Sequence, residues 1–336
     1  MKKLAATALA GLLTITLAAC GGTAGGASGD QTVTMDGLED WYAQRVEEFK
    51  AKTGITVQAV TAGSGEVASR VEKEKANNQA DILVTLPPFI QRAASQGLLV
   101  ATAPSGLDQV PAGQKDGQGR YFAIMNNYLS FIRNPQASPK TWDDLLAPAL
   151  KGKLQYSTPG EAGDGTAVLL QLQHVLGEQG ALEYLAKLEA NNIGPSSSTG
   201  KLQPKVAKAE ILVANGDVQM NLASIEKSGG FEIFFPADSH GKRSTFALPY
   251  YAGLVNNAPH AENAKKFLDF LLSPEVQSKA VDAFGAPSRA DVTPSGPRAD
   301  KVKAALDGVD IWQPDWNAVL AKLDADLAAY KKAVGR

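Results

Sequence analysis

Residues 55–95 read ITVQAVTAGSGEVASRVEKEKANNQADILVTLPPFIQRAAS, and their periodicity decides the fold class. Residues 55–60 form a short apolar run of strand type. Residues 65–77 carry helical spacing, 80–85 form a second apolar strand, and 89–95 return to a helix. Upstream, residues 32–35 read as a strand and 38–52 as a helix. That helix puts Leu38, Trp41, Tyr42, Val46 and Phe49 on one face and is stopped by Gly54. Strands separated by helices pair in parallel through crossovers, so this run predicts an α/β fold with a doubly wound sheet. In such sheets ligands bind beyond the carboxyl ends of the strands, which directs the reading to the loops there.

The middle of the chain repeats the α/β style. Thr141 is expected to cap a short helix over residues 142–146, with Asp144 in its first turn. Residues 153–157 and 218–222 read as strands. Residues 166–177, 181–191 and 206–215 read as helices. The apolar, extended segments 121–132 and 245–255 flank this unit and read as crossovers between two lobes. Residues 32–123 plus 250–336 are expected to build the first lobe and 124–249 the second, with a cleft and hinge between them. Residues 261–272, 274–284 and 315–334 close the chain as helices, with Ser273 as a cap and Pro274 at a first helical position.

The N-terminus has a separate job. Lys2 and Lys3 precede an apolar run that ends in Leu17-Ala18-Ala19-Cys20. A short basic head, a short apolar stretch and small residues before the cut are the marks of a secretory signal, here residues 1–19. The run falls short of the about 20 apolar residues that span a bilayer. Cys20 is the only cysteine of the chain, and at the cut point its sulfur is expected to carry a lipid anchor. Residues 20–31 are rich in Gly, Ala, Ser and Thr, as in a flexible tether.

Composition narrows the function. The 336 residues are 44% hydrophobic and 20% charged, the balance of a globular protein. The formal charge of −2 gives no basic face for nucleic acid. With Cys20 acylated, no thiol is left for a disulfide, a thiolate nucleophile or a metal. His174, His240 and His260 lie far apart in sequence and offer no metal-ligand spacing. No metal and no cofactor are expected.

Three loops rich in Gly, Ser and Thr lead into helices: residues 62–66, 157–166 and 194–201. Free N–H groups and the positive end of the helix dipole make such places suited to oxyanions. Residues 194–201 resemble a P-loop, but five residues separate the glycines and Leu202 follows the lysine. Gly160, Gly163 and Gly165 lack the dinucleotide spacing. Neither a nucleophile elbow nor a zinc-protease helix motif is present, so catalysis has no visible constellation. The acids near these loops are Asp36, Glu66, Asp164 and Glu226, and Tyr250-Tyr251 sits on the returning crossover. Anion donors, carboxylates and aromatic faces together suit a small zwitterion, with an oxyanion head and an ammonium tail.

Four segments carry a family resemblance: PKTWDDLL at residues 139–146, LKGKL at 150–154, QYSTPGEAGDGTAV at 155–168 and PYYAGL at 249–254. With the lipobox and the two-lobe pattern, they resemble substrate-binding lipoproteins of ABC importers, in the iron, thiamine and phosphonate branch. Within it they are similar to the 2-aminoethylphosphonate-binding subgroup. The resemblance implies a two-lobe periplasmic-binding-protein fold of type II. It also implies a monomer held in the periplasm, or on the outer face of the cytoplasmic membrane, that passes its ligand to a permease. On that basis the phosphonate is assigned to Ser64, Gly65, Ser157, Thr158, Gly165, Thr166, Ser197, Ser198 and Thr199. The ammonium is assigned to Asp36 or Glu66, with Tyr250 or Tyr251 nearby. Ferric iron, another small anion or a polyamine are the alternatives within the branch. An exported phosphoryl or phosphonate hydrolase, and a sensor subunit, stand further off.

Overall fold

The computed structural model describes residues 31–35 and 39–336; the expected signal, the tether, Cys20 and Asp36 lie outside the described residues. The first strands and helices alternate. They are β1 (Gln31–Met35), α1 (Glu39–Thr53), β2 (Val57–Thr61), α2 (Ser64–Lys73), β3 (Ile82–Thr85), α3 (Phe89–Ser95) and β4 (Leu99–Val100). β1 pairs in parallel with β2 and β3, as crossover helices require.

Two extended pieces follow, β5 (Phe122–Met125) and β6 (Leu129–Arg133), and lead into a second α/β unit. That unit contains β7 (Leu154–Gln155), α4 (Gly163–Leu188), α5 (Gln203–Ala207), β8 (Val213–Asp217), α6 (Val218–Lys227) and β9 (Glu232–Phe234). The chain returns through β10 (Ser244–Phe246) and β11 (Tyr250–Val255). It ends with α7 (Ala261–Leu272), α8 (Pro274–Ser278), α9 (Pro297–Ala305), β12 (Asp310–Trp312) and α10 (Trp316–Ala333).

The first sheet runs β2-β1-β3-β11-β4, with β5 also paired to β11. β11 is antiparallel to β3, β4 and β5, so this sheet is mixed. β3 and β11 are buried along their whole length, which explains why both read as unbroken apolar runs. The second sheet runs β7-β8-β6-β9. Each sheet is covered by helices, and the two α/β lobes face one another across a cleft.

Three expectations need correction. Residues 218–222 are not a strand but the start of α6. Asp217 is extended (φ −123°, ψ 162°), and its carboxylate accepts from the Met220 N–H, so it caps a helix. Residues 206–215 are not one helix. α5 ends at Ala207, Ala209 takes φ 56°, and the chain then enters the buried strand β8. The helices expected over 166–177 and 181–191 run on as α4, broken only where Gly177 adopts φ 75° and ψ 167°.

The last forty residues, expected with the first lobe, contact elements of both. β12 pairs in parallel with β10, α9 packs on α6, and α10 lies against α4 and α3. The Tyr330 hydroxyl is buried 3.2 Å from that of Tyr156, fixing α10 to the second lobe, while an Arg92–Asp324 ion pair ties it to the first. Among the described residues no helix is long and apolar enough to cross a membrane.

Candidate ligand-binding site

The second strand of the first lobe ends at Thr61, and Gly63 is the extended N-cap of α2. In the second lobe, Ala162 is the extended N-cap of α4. These two helix starts meet. The Gly65 N–H donates to Glu161 O at 3.2 Å across the cleft. A Cβ on Gly163 would stand 2.6 Å from Ser64 Oγ, and one on Gly65 would stand 2.9 Å from Glu161 O. Glycine at these positions is what lets the lobes touch backbone to backbone.

Beside the contact lies a cavity of ≈510 Å³, within the range of small-ligand sites. Its first-lobe wall is residues 61–64 with Glu66 and Leu86. Its second-lobe wall is residues 162–164, the loop 197–201, Gln203, Pro204, Asp217, Met220 and Ser224. Tyr250, from the returning crossover, completes it. Two helix N-termini and a run of hydroxyls thus border one space, an arrangement that favours an oxyanion.

Hydrogen bonds from below fix the hydroxyl loop. Ser157 N–H donates to Asn215 Oδ1 at 2.8 Å, and Asn215 Nδ2 donates to Ser157 Oγ at 2.9 Å. Thr199 Oγ1 donates onward to Ser157 Oγ at 3.1 Å. Thr158 and Ser196 exchange two bonds: Thr158 N–H to Ser196 O at 2.8 Å and Ser196 N–H to Thr158 Oγ1 at 3.0 Å.

The charge of the lining runs against a simple anion site. Three carboxylates, Glu66, Asp164 and Asp217, border the cavity with one lysine, Lys201. Asp217 is wholly buried. Burial pushes its carboxyl up to about 6, opposed by the Met220 N–H and the Asn127 amide. Its Oδ1 accepts from Met220 N at 2.6 Å; the Asn127 amide is the other polar neighbour of the carboxylate, and Oδ2 has no hydrogen bond of good geometry among the described residues.

The residues singled out in sequence divide clearly. Ser64, Glu66, Ser197, Ser198, Thr199 and Tyr250 border the cavity. Gly65 adjoins it, but its N–H is taken by Glu161 O. Ser157 and Thr158 lie beneath the loop in the bonds just described. Thr166 Oγ1 donates to Ala162 O at 3.1 Å and accepts from Gly160 N at 2.9 Å, so it shapes the start of α4. Gly165 is a packing glycine, since a Cβ there would fall 2.3 Å from Ser157 O. The Tyr251 ring packs edge-on against Tyr121, away from the cavity. Burial holds its phenol well above the ordinary range. Glu226 sits on α6 in ion pairs with Arg298 and Lys301, beside a separate cavity.

Asp217, Lys201 and Gln203 were missed. For Asp217 a signal existed: an Asp directly before an amphipathic run is a helix cap, which would have placed it at the end of β8, facing the cleft.

Residues 36–278 match the family model described as bacterial extracellular solute-binding protein. A Salmonella typhimurium protein named "Putative 2-aminoethylphosphonate-binding periplasmic protein" is 48% identical over 308 residues, covering 89% of this chain and 90% of its own. Among solved structures, the periplasmic binding protein P5PA superposes with a TM-score of 0.79 at 24% identity, over 90% of this chain and 100% of its own. AfuA from Actinobacillus pleuropneumoniae, solved with fructose-6-phosphate bound, gives 0.76 at 21% identity, over 91% and 96%.

Proposed function

Because the chain belongs to the family of bacterial extracellular solute-binding proteins, we propose that it captures 2-aminoethylphosphonate and hands it to the permease of an ABC importer. The family role is binding, not catalysis. It implies a small-molecule ligand, a permease partner and a periplasmic place of work. The ligand is supported by one observation above the rest: the starts of α2 and α4 converge on a cavity that also carries three carboxylates. Free phosphate would be drawn to the helix ends and repelled by the carboxylates. A molecule with phosphonate at one end and ammonium at the other satisfies both sets. The name of the 48% identical relative points the same way.

In this reading Ser64 and the 197–199 hydroxyls hold the phosphonate with the N–H groups of the two helix starts. The lobes close about the extended connections β5–β6 and β10–β11. A ferric site is less well served. Tyr250 is at the cavity while its neighbour Tyr251 is packed against Tyr121, so the pair cannot act together on one ion.

Calorimetric titration of the purified protein against 2-aminoethylphosphonate, phosphate, putrescine and ferric citrate tests the assignment. Saturation with the aminophosphonate at 100 times its Kd raises stability by about 2.7 kcal/mol. A response to ferric citrate alone, or to phosphate in preference, refutes it. Anchoring by lipid at Cys20 is part of the same proposal. Cells fed labelled palmitate should label the protein, and Cys20→Ala should abolish the label and release the chain from the membrane fraction.

A further inference from the structure

Asp217 is a wholly buried carboxylate at the cavity, and its Oδ2 makes no hydrogen bond of good geometry among the described residues. A carboxylate in that state is costly until a cation meets it. Helix capping accounts for Oδ1 only, through the Met220 N–H. The Asn127 amide is the remaining polar neighbour of the carboxylate, and Lys201 is the one cationic side chain of the lining. We propose that Asp217 is the specificity-determining residue of the site: its Oδ2 receives the primary ammonium of the ligand and so separates aminoalkylphosphonates from plain phosphonates and phosphate. This rests on the zwitterion reading above and names the residue that enforces it. It moves the ammonium contact from the first-lobe acids Asp36 and Glu66 to the second lobe, so that the two ends of one ligand bridge Ser64 in one lobe and Asp217 in the other.

The experiment compares wild type with Asp217→Asn, titrating each with 2-aminoethylphosphonate and with ethylphosphonate, which keeps the head and lacks the ammonium. Asn preserves the cap of α6, so the variant is expected to fold, and circular dichroism checks that it does. Asp164→Asn and Glu66→Gln serve as parallel variants. The expected result is a loss of about 100-fold or more in affinity for the aminophosphonate, with ethylphosphonate binding unchanged or tightened. Three results overturn the inference while leaving the ligand assignment standing: an intact preference in Asp217→Asn, equal losses for both ligands, or transfer of the effect to Glu66→Gln or Asp164→Asn. If wild type itself fails to prefer the aminophosphonate over ethylphosphonate, the ligand assignment falls, and the inference with it.

Discussion

At the scale of single residues, Asp217 also leaves a mark on stability. Its folded-state pKa of about 6 lies above the ordinary 3.8. The folded chain therefore holds this proton more tightly than the unfolded one, and stability falls as pH rises through that window. The penalty is complete above pH 6 and amounts to about 3 kcal/mol at 1.36 kcal/mol per unit. Asp217→Asn escapes it. In denaturant melts without ligand, the variant should therefore gain on wild type by up to about 3 kcal/mol between pH 4 and pH 7; a constant gap would refute the shift. Other residues show how far sequence could reach. The hydroxyl loops were legible as oxyanion sites because Ser, Thr and Gly before helices announce free N–H groups. Which hydroxyls face the cavity was not legible. Ser157, Thr158 and Thr166 use theirs in bonds to partners up to 58 residues away, and only the fold reveals those partners. Tyr250 and Tyr251 could have been separated sooner, since neighbours on a strand point to opposite faces.

Among the elements, those with strong periodicity or burial on both faces were the readable ones. β3 and β11 announced themselves as apolar runs, and α1 and α7 as helices with one apolar face. The errors cluster in residues 203–222, where a five-residue helix, a strand and a longer helix follow in close order. The short α5 has too few turns to show a period, and Ala209 ends it with a left-handed backbone that alanine does not advertise. The first residues of α6 alternate apolar and polar, a pattern that reads as a strand, and its cap, Asp217, is the decisive signal for a helix. The three-residue β12 carries no readable pattern. It exists because Trp312 stacks on His174 at 4.2 Å and meets Phe246 at 4.7 Å, contacts that span much of the chain. The placement of α10 over both lobes has the same origin, in the meeting of Tyr330 with Tyr156 and of Asp324 with Arg92.

For the whole molecule, the question is how two lobes can close on a ligand this small. The start of α2 presses on the loop before α4 with no side chain between them, and the Gly65 N–H to Glu161 O bond is made across that junction. A methyl on Gly65 would stand 2.9 Å from Glu161 O, 3.0 Å from Gly160 O and 3.2 Å from the Phe89 ring. Two of these neighbours are backbone atoms, which cannot swing aside as a side-chain tip could. Within α2 itself the change is benign, because alanine favours a helix more than glycine by about 1 kcal/mol. Gly65→Ala thus sets local propensity against packing: the helix gains, while the Phe89 ring of the same lobe and the facing Gly160 and Glu161 carbonyls must give by some tenths of an ångström. The expected outcome is a melting temperature close to that of wild type without ligand, the helix gain being offset by the tight Phe89 contact. Affinity for 2-aminoethylphosphonate should fall by about tenfold, equivalent to about 1.4 kcal/mol. The decrease in radius of gyration on adding ligand, read by small-angle scattering, should be smaller than in wild type. Unaltered affinity together with full compaction would show that the lobes close without this junction, and the role given to its glycines would then be wrong.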